Sequence, residues 1–124
     1  MLGLTLQGAS TRWLQVAFRV GFGVGVAVVI IGSLLPADRA PAIANDKLEH
    51  FLAYAFLSLL GSWMFQTRRP MVLLALSLCA LAILLEIAQR FSPGRSTEVA
   101  DALVSCLGAC SVPALRFLIS FRSR

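Results

Sequence analysis

Apolar residues run through this chain in long blocks, and the polar residues collect between them. A helix needs about 20 residues to cross the hydrocarbon layer of a bilayer. Four blocks come near that length, at about 14–35, 47–65, 71–87 and 99–119. Punctuation falls between them. Pro36 and Pro41 bracket an Ala-rich polar loop, and Asn45 or Asp46 then stands where a helix N-cap belongs, with Glu49 in the first turn. Trp63 closes the second block at the depth where aromatic rings meet water. Arg68, Arg69 and Pro70 predict the tight turn before the third block, which is aliphatic until Glu86. The stretch QRFSPGRSTE, Gln89 to Glu98, reads as a loop through its Pro93-Gly94 pair, and Ser96 or Thr97 is placed to cap the fourth block. That block carries Asp101 in its first turn and ends in Arg116, Arg122 and Arg124. The pattern predicts an all-α fold, a four-helix transmembrane bundle in a single domain, with short loops joining antiparallel neighbours.

Composition strengthens this picture. Of 124 residues, 58% are hydrophobic and 14% charged, against roughly 45–50% and about 25% in a soluble domain. A small soluble core could not bury that much apolar surface. Arg12 and Arg19 before the first block invite a signal-peptide reading, but no A-x-A site precedes Pro36 and equally apolar blocks follow. Gly21, Gly23 and Gly25 lack the preceding strand and polar setting of a nucleotide loop, so they read as helix-packing residues. Cys79, Cys106 and Cys110 lie in apolar stretches and read as small packing residues, not as a disulfide framework or zinc site.

Charge adds an orientation. Arg12, Arg19, Arg68, Arg69, Arg116, Arg122 and Arg124 fall on one side of the predicted bundle, and Arg39, Lys47, Arg90 and Arg95 on the other. The side richer in Lys and Arg stays cytoplasmic, so both termini are expected there. All six acidic residues, Asp38, Asp46, Glu49, Glu86, Glu98 and Asp101, then belong to the extracytoplasmic face. The net charge of +5 comes from scattered residues with no basic stripe, and nucleic acid is not an expected partner. Membrane lipids are.

The polar residues inside the blocks are spaced for shared faces. Asp46, His50 and Tyr54 step by four, and Lys47 to His50 by three; Glu86 and Gln89 share a face of the third helix, as do Asp101, Ser105 and Gly108 of the fourth. Ionisable groups facing lipid are costly, so these stripes are expected to converge, with Arg95, on one pocket open to the extracytoplasmic side.

Three motifs in order, D-K-x-x-H-F-x-A-Y (Asp46 to Tyr54), E-x-x-Q-x-F-x-P-G-R (Glu86 to Arg95) and D-x-x-x-S-x-x-G (Asp101 to Gly108), resemble the VanZ-like membrane protein family. The resemblance covers the three C-terminal blocks. Where that family usually has Asn in the last motif, this chain has Ser105, which keeps a hydroxyl but not the amide's paired donor and acceptor. The resemblance implies a bacterial inner-membrane protein linked to teicoplanin sensitivity and, by association, to a lipid-linked glycan or peptidoglycan precursor.

Three functions fit these residues. In the first the pocket binds an anionic envelope precursor, with Lys47 and Arg95 as anion contacts and Asp46, Tyr54, Gln89 and Ser105 around them. In the second, a membrane-embedded hydrolase or transferase, His50 acts as general base, Glu86 and Asp101 set its proton state, and Arg95 holds the leaving anion. The third is an assembly partner that docks on another membrane protein through the glycine-rich first helix. Each residue also has a structural alternative: His50 as a helix-to-helix hydrogen bonder, the carboxylates in ion pairs with Arg90, Arg95 or Lys47, Arg95 as an interfacial arginine. One His with three carboxylates could hold a divalent cation, but H-E-x-x-H or a similar ligand spacing is missing, so no metal is assigned and no cofactor is expected.

Overall fold

The structure, a computed structural model, describes residues 2–39 and 45–122, and side chains among them from Thr11 onward. Pro41 and Arg124 lie outside the described residues. The chain is all-helical: α1 (Leu2–Leu34), α2 (Asp46–Ser62), α3 (Arg68–Gln89) and α4 (Val99–Arg122). Three of these, α1 over Thr11–Leu34, α3 and α4, are long and apolar enough to cross a membrane. The 17 residues of α2 rise about 25 Å at 1.5 Å each, a little short of a typical hydrocarbon layer.

The helix boundaries follow local chemistry. Asn45 is the N-cap of α2; its side chain accepts from the Lys47 N–H at 3.1 Å, which satisfies one of the first-turn donors that have no partner inside the helix. The turn expected at Arg68-Arg69-Pro70 lies earlier, over 63–67, and those three residues form the first turn of α3. Proline is tolerated there because its missing N–H would have had no partner anyway. Glu98, and neither Ser96 nor Thr97, stands immediately before α4, its carbonyl accepting from the Asp101 N–H at 2.9 Å. Helix α1 begins well before the apolar block, since no proline interrupts residues 2–13.

Helix α2 packs against each of the other three, and most extensively against α4. Their backbones meet at Gly108, where an added Cβ would collide with the Phe51 carbonyl of α2. Tyr54, Leu57, Leu74, Leu78, Ala82 and Ala109 form the buried core, with Phe22 and Val26 of α1 against it. Gly25 admits the Leu57 side chain, whereas Gly23 has open space in front of it. Many other large apolar side chains point outward. Val16, Val20, Val24, Val28 and Ile31 of α1, and Leu73, Leu76, Ile83, Leu84 and Ile87 of α3, are all exposed. So many bare aliphatic side chains on every helix suit a lipid surround and not water. The cysteines are free; Cys79 of α3 approaches the Cys106 carbonyl of α4, and Cys110 faces out.

Candidate functional site

Hydrogen bonds tie together the end of α1, the start of α2, the end of α3 and the start of α4, so all six acidic residues lie at one end of the bundle. The opposite end is basic and aromatic. There Phe18 and Trp63 stack with centroids 5.5 Å apart, Arg68 sits 4.7 Å from the Phe121 ring centre, and Arg116 donates to the Ser62 and Phe65 carbonyls that α2 leaves behind.

At the acidic end, His50 is the hinge of the polar cluster. One of its nitrogens, Nδ1, lies 3.3 Å from the buried Ser105 hydroxyl of α4, and the other, Nε2, lies 3.8 Å from Asp46 Oδ1 one turn earlier in α2. Asp101, one turn before Ser105, is 3% exposed, and its Oδ1 accepts no hydrogen bond among the described residues. Lys47 Nζ lies 3.7 Å from that oxygen but donates elsewhere, to Glu98 Oε2 at 2.8 Å. The Lys47 ammonium holds the Glu98 carboxyl below the usual carboxylate range. Glu98 in turn gives its backbone N–H to Glu86 Oε1 at 2.7 Å.

Beside this cluster a cavity of about 470 Å³ opens between α1, α2 and the 90–98 loop. Its walls are apolar, with Val28, Val29, Leu52 and Ala53, and its polar lining includes Asp46, His50, Gln89 and Arg95. Tyr54 lines it as well and is otherwise buried in the core. Val28, Val29 and Gly32 of α1 are wall residues that the motifs do not mark. A valine step in an apolar helix carries no signal that separates wall from lipid face.

The single network expected from the sequence therefore divides. Asp46, Lys47, His50, Asp101 and Ser105 come together across α2 and α4. Glu86 borders a different, apolar groove with Ile83, Arg90 and Ala102, and its hydrogen bond toward the cluster is to the Glu98 N–H. Arg95 pairs with no carboxylate among the described residues: it donates to the carbonyls of Gly32 at 2.8 Å and Leu35 at 3.2 Å. Ser92 adds a bond to Leu34, so the loop as a whole caps the carbonyl end of α1. A guanidinium fits there because the last carbonyls of a helix lack partners and carry partial negative charge. Gly94, with φ of 74°, makes the turn that aims Arg95 inward.

Comparison with family models, with curated proteins and with solved structures finds no match to this chain.

Proposed function

We propose that this chain is a VanZ-like, four-span protein of a bacterial inner membrane whose extracytoplasmic pocket binds an anionic, lipid-linked envelope precursor and so alters glycopeptide sensitivity. The observation that carries this reading is the cavity, with hydrocarbon walls from Val28, Val29 and Leu52 and a polar end at Asp46, His50, Gln89 and Arg95. Such a shape suits an amphiphile that enters from the lipid with its head group toward Arg95 and His50. The family assignment rests on the three ordered motifs alone. Helix α2 counts as the fourth span because Leu48, Leu52, Phe56, Leu59 and Trp63 form one exposed apolar stripe along its length. The orientation rests on Arg12, Arg19, Arg68, Arg69, Arg116 and Arg122 at the end opposite the acids.

The test is equilibrium binding of a polyprenyl phosphate and of the matching neutral alcohol to the detergent-solubilised chain. The phosphate should bind at least about tenfold tighter, worth about 1.4 kcal/mol. Equal affinities would refute recognition of an anionic head group.

The contact of His50 with Asp46 favours a second reading, a hydrolase or transferase in which His50 takes a proton from water or a substrate hydroxyl. Ser105 does not serve as nucleophile in it, because it is 1% exposed. His50→Ala would then abolish product release from a lipid-linked glycan with folding intact, whereas in the binding reading it only weakens retention.

A further inference from the structure

We infer that Asp46, His50 and Asp101 form a binding site for a first-row divalent cation. One donor atom from each residue can be chosen so that all three lie within 4.8 Å of one another. Metal–oxygen and metal–nitrogen bonds are about 2.0–2.2 Å, so donors on opposite sides of an ion stand about 4.4 Å apart at most. Closing the difference takes a few tenths of an ångström. Asp46 can supply it, since its side chain is 61% exposed and free to swing.

A second observation points to a ligand independently of this spacing. The Asp101 side chain is 4% exposed, yet its Oδ1 has no hydrogen-bond partner among the described residues. A buried carboxylate oxygen without a donor is costly and calls for a cation. Lys47 answers only in part: it stands 3.7 Å away, half exposed, with its hydrogen bond committed to Glu98. The imidazole is also arranged as a ligand. Ser105 holds Nδ1, which leaves Nε2 facing Asp46, the kind of outer contact that orients metal-binding histidines.

The sequence hides this site because its ligands come from two helices. Asp46 and His50 are one turn apart on α2, and the third ligand arrives from α4, so no single-helix ligand motif exists to be read. One imidazole and two carboxylates suit Mn²⁺ or Zn²⁺ better than Mg²⁺, which prefers an all-oxygen shell. Two anionic ligands would neutralise the ion, leaving open coordination positions beside the cavity, where Asp46 and His50 also lie. The cation site stands on these three residues whether or not the cavity takes an amphiphile.

The test uses Mn²⁺, because Cys79, Cys106 and Cys110 would compete for Zn²⁺ and are poor Mn²⁺ ligands. The full-length protein, stripped with chelator in detergent, is titrated with Mn²⁺ by calorimetry and examined by pulsed electron paramagnetic resonance. The expected result is one ion per chain with a nitrogen modulation from imidazole that disappears in His50→Gln. Asp46→Asn, an exposed change that leaves the fold alone, should weaken binding at least about tenfold, as should Asp101→Asn. Glu49→Gln, on the same first turn, should leave binding unchanged. Three results would each overturn the site: no binding up to about millimolar Mn²⁺, the weak end of protein cation sites; binding without nitrogen modulation; or binding that Asp46→Asn leaves intact.

Discussion

The Ser58 hydroxyl of α2 donates a 2.7 Å hydrogen bond to the Ala109 carbonyl of α4, and both residues are fully buried. That carbonyl is the one Pro113, inside α4, leaves without its helical N–H partner. A break in one helix is thus repaired by its neighbour, as membrane helices require where water cannot reach. Ser58→Ala should cost about 1–2 kcal/mol, and clearly less in a Pro113→Ala background, where the backbone N–H restored by the substitution serves the carbonyl instead. Melting of the two single variants and the double variant in detergent checks this coupling. Equal costs in both backgrounds would show that the bond does no more than accompany the packing.

Gly108 should be far less tolerant than Gly23. A methyl group at Gly108 meets the α2 backbone at Phe51 and Ala55, which cannot yield as a side chain can, whereas nothing lies within 4 Å of the same group at Gly23. Gly108→Ala should destabilise by about 1–3 kcal/mol through forced separation of α2 and α4. Gly23→Ala should be neutral or stabilise by up to about 1 kcal/mol through its helix preference. Thermal denaturation of the two variants compares them directly.

Much of the fold is legible in the residue pattern, and the exceptions have physical reasons. Four helices, the cap at Asn45 and the loop at Pro93-Gly94 follow from apolar block length and local turn chemistry, which act within a few residues. Pro70 misleads because a proline reads as a break, although the first turn of a helix accepts it. Arg95 is harder still. Its charge suggests a carboxylate or a bound anion, while its bonds go to carbonyls of α1 some 60 residues earlier in the chain. No local pattern encodes a helix end that a distant loop will cap. The meeting of His50 with Ser105 follows from their helical phases, whereas the position of Glu86 on another groove depends on the rotation of α3, which an almost uniformly aliphatic helix does not reveal.

The arrangement at the end of α1 makes a prediction about Arg95. Removing its guanidinium in Arg95→Gln leaves the Gly32 and Leu35 carbonyls short of donors, at a cost of about 1–3 kcal/mol. Since Glu86 has a different partner, the Glu98 N–H, Glu86→Gln and Arg95→Gln should add within about 0.5 kcal/mol. Denaturation of the single and double variants decides it; a large interaction energy would return both residues to one network.

Acid should weaken the link between Lys47 and Glu98. Lys47 lowers the Glu98 pKa in the folded chain. A lowered carboxylate contributes stability that is complete above its unfolded value, about 4.3, and is lost as pH falls through the folded one. The difference in melting temperature between the native chain and Glu98→Gln should therefore be constant from neutral pH down to about 5 and shrink below it. The effect is small, because both side chains are about half exposed. A difference that grows on acidification would contradict the ion pair.

Orientation can be read with single cysteines in a background lacking the native three. Positions beside Asp38 and Arg95 should react with an impermeant thiol reagent in intact cells, and a position beside Thr67 only after permeabilisation. The reverse pattern would invert the bundle.

The central claim is that the cavity between α1, α2 and the 90–98 loop holds an anionic lipid, and native mass spectrometry of the extracted protein tests it most directly. Val28 lines the cavity, is mostly exposed and is not among the residues packed on the core, so Val28→Trp should fill it without disturbing the core around Leu57 and Ala109. The account predicts that the native chain retains a phosphorylated lipid at one per chain, and that Val28→Trp loses it while melting as the native chain does. A native chain carrying only the bulk lipid mixture, or a Val28→Trp variant that retains the same phosphorylated lipid, would contradict it.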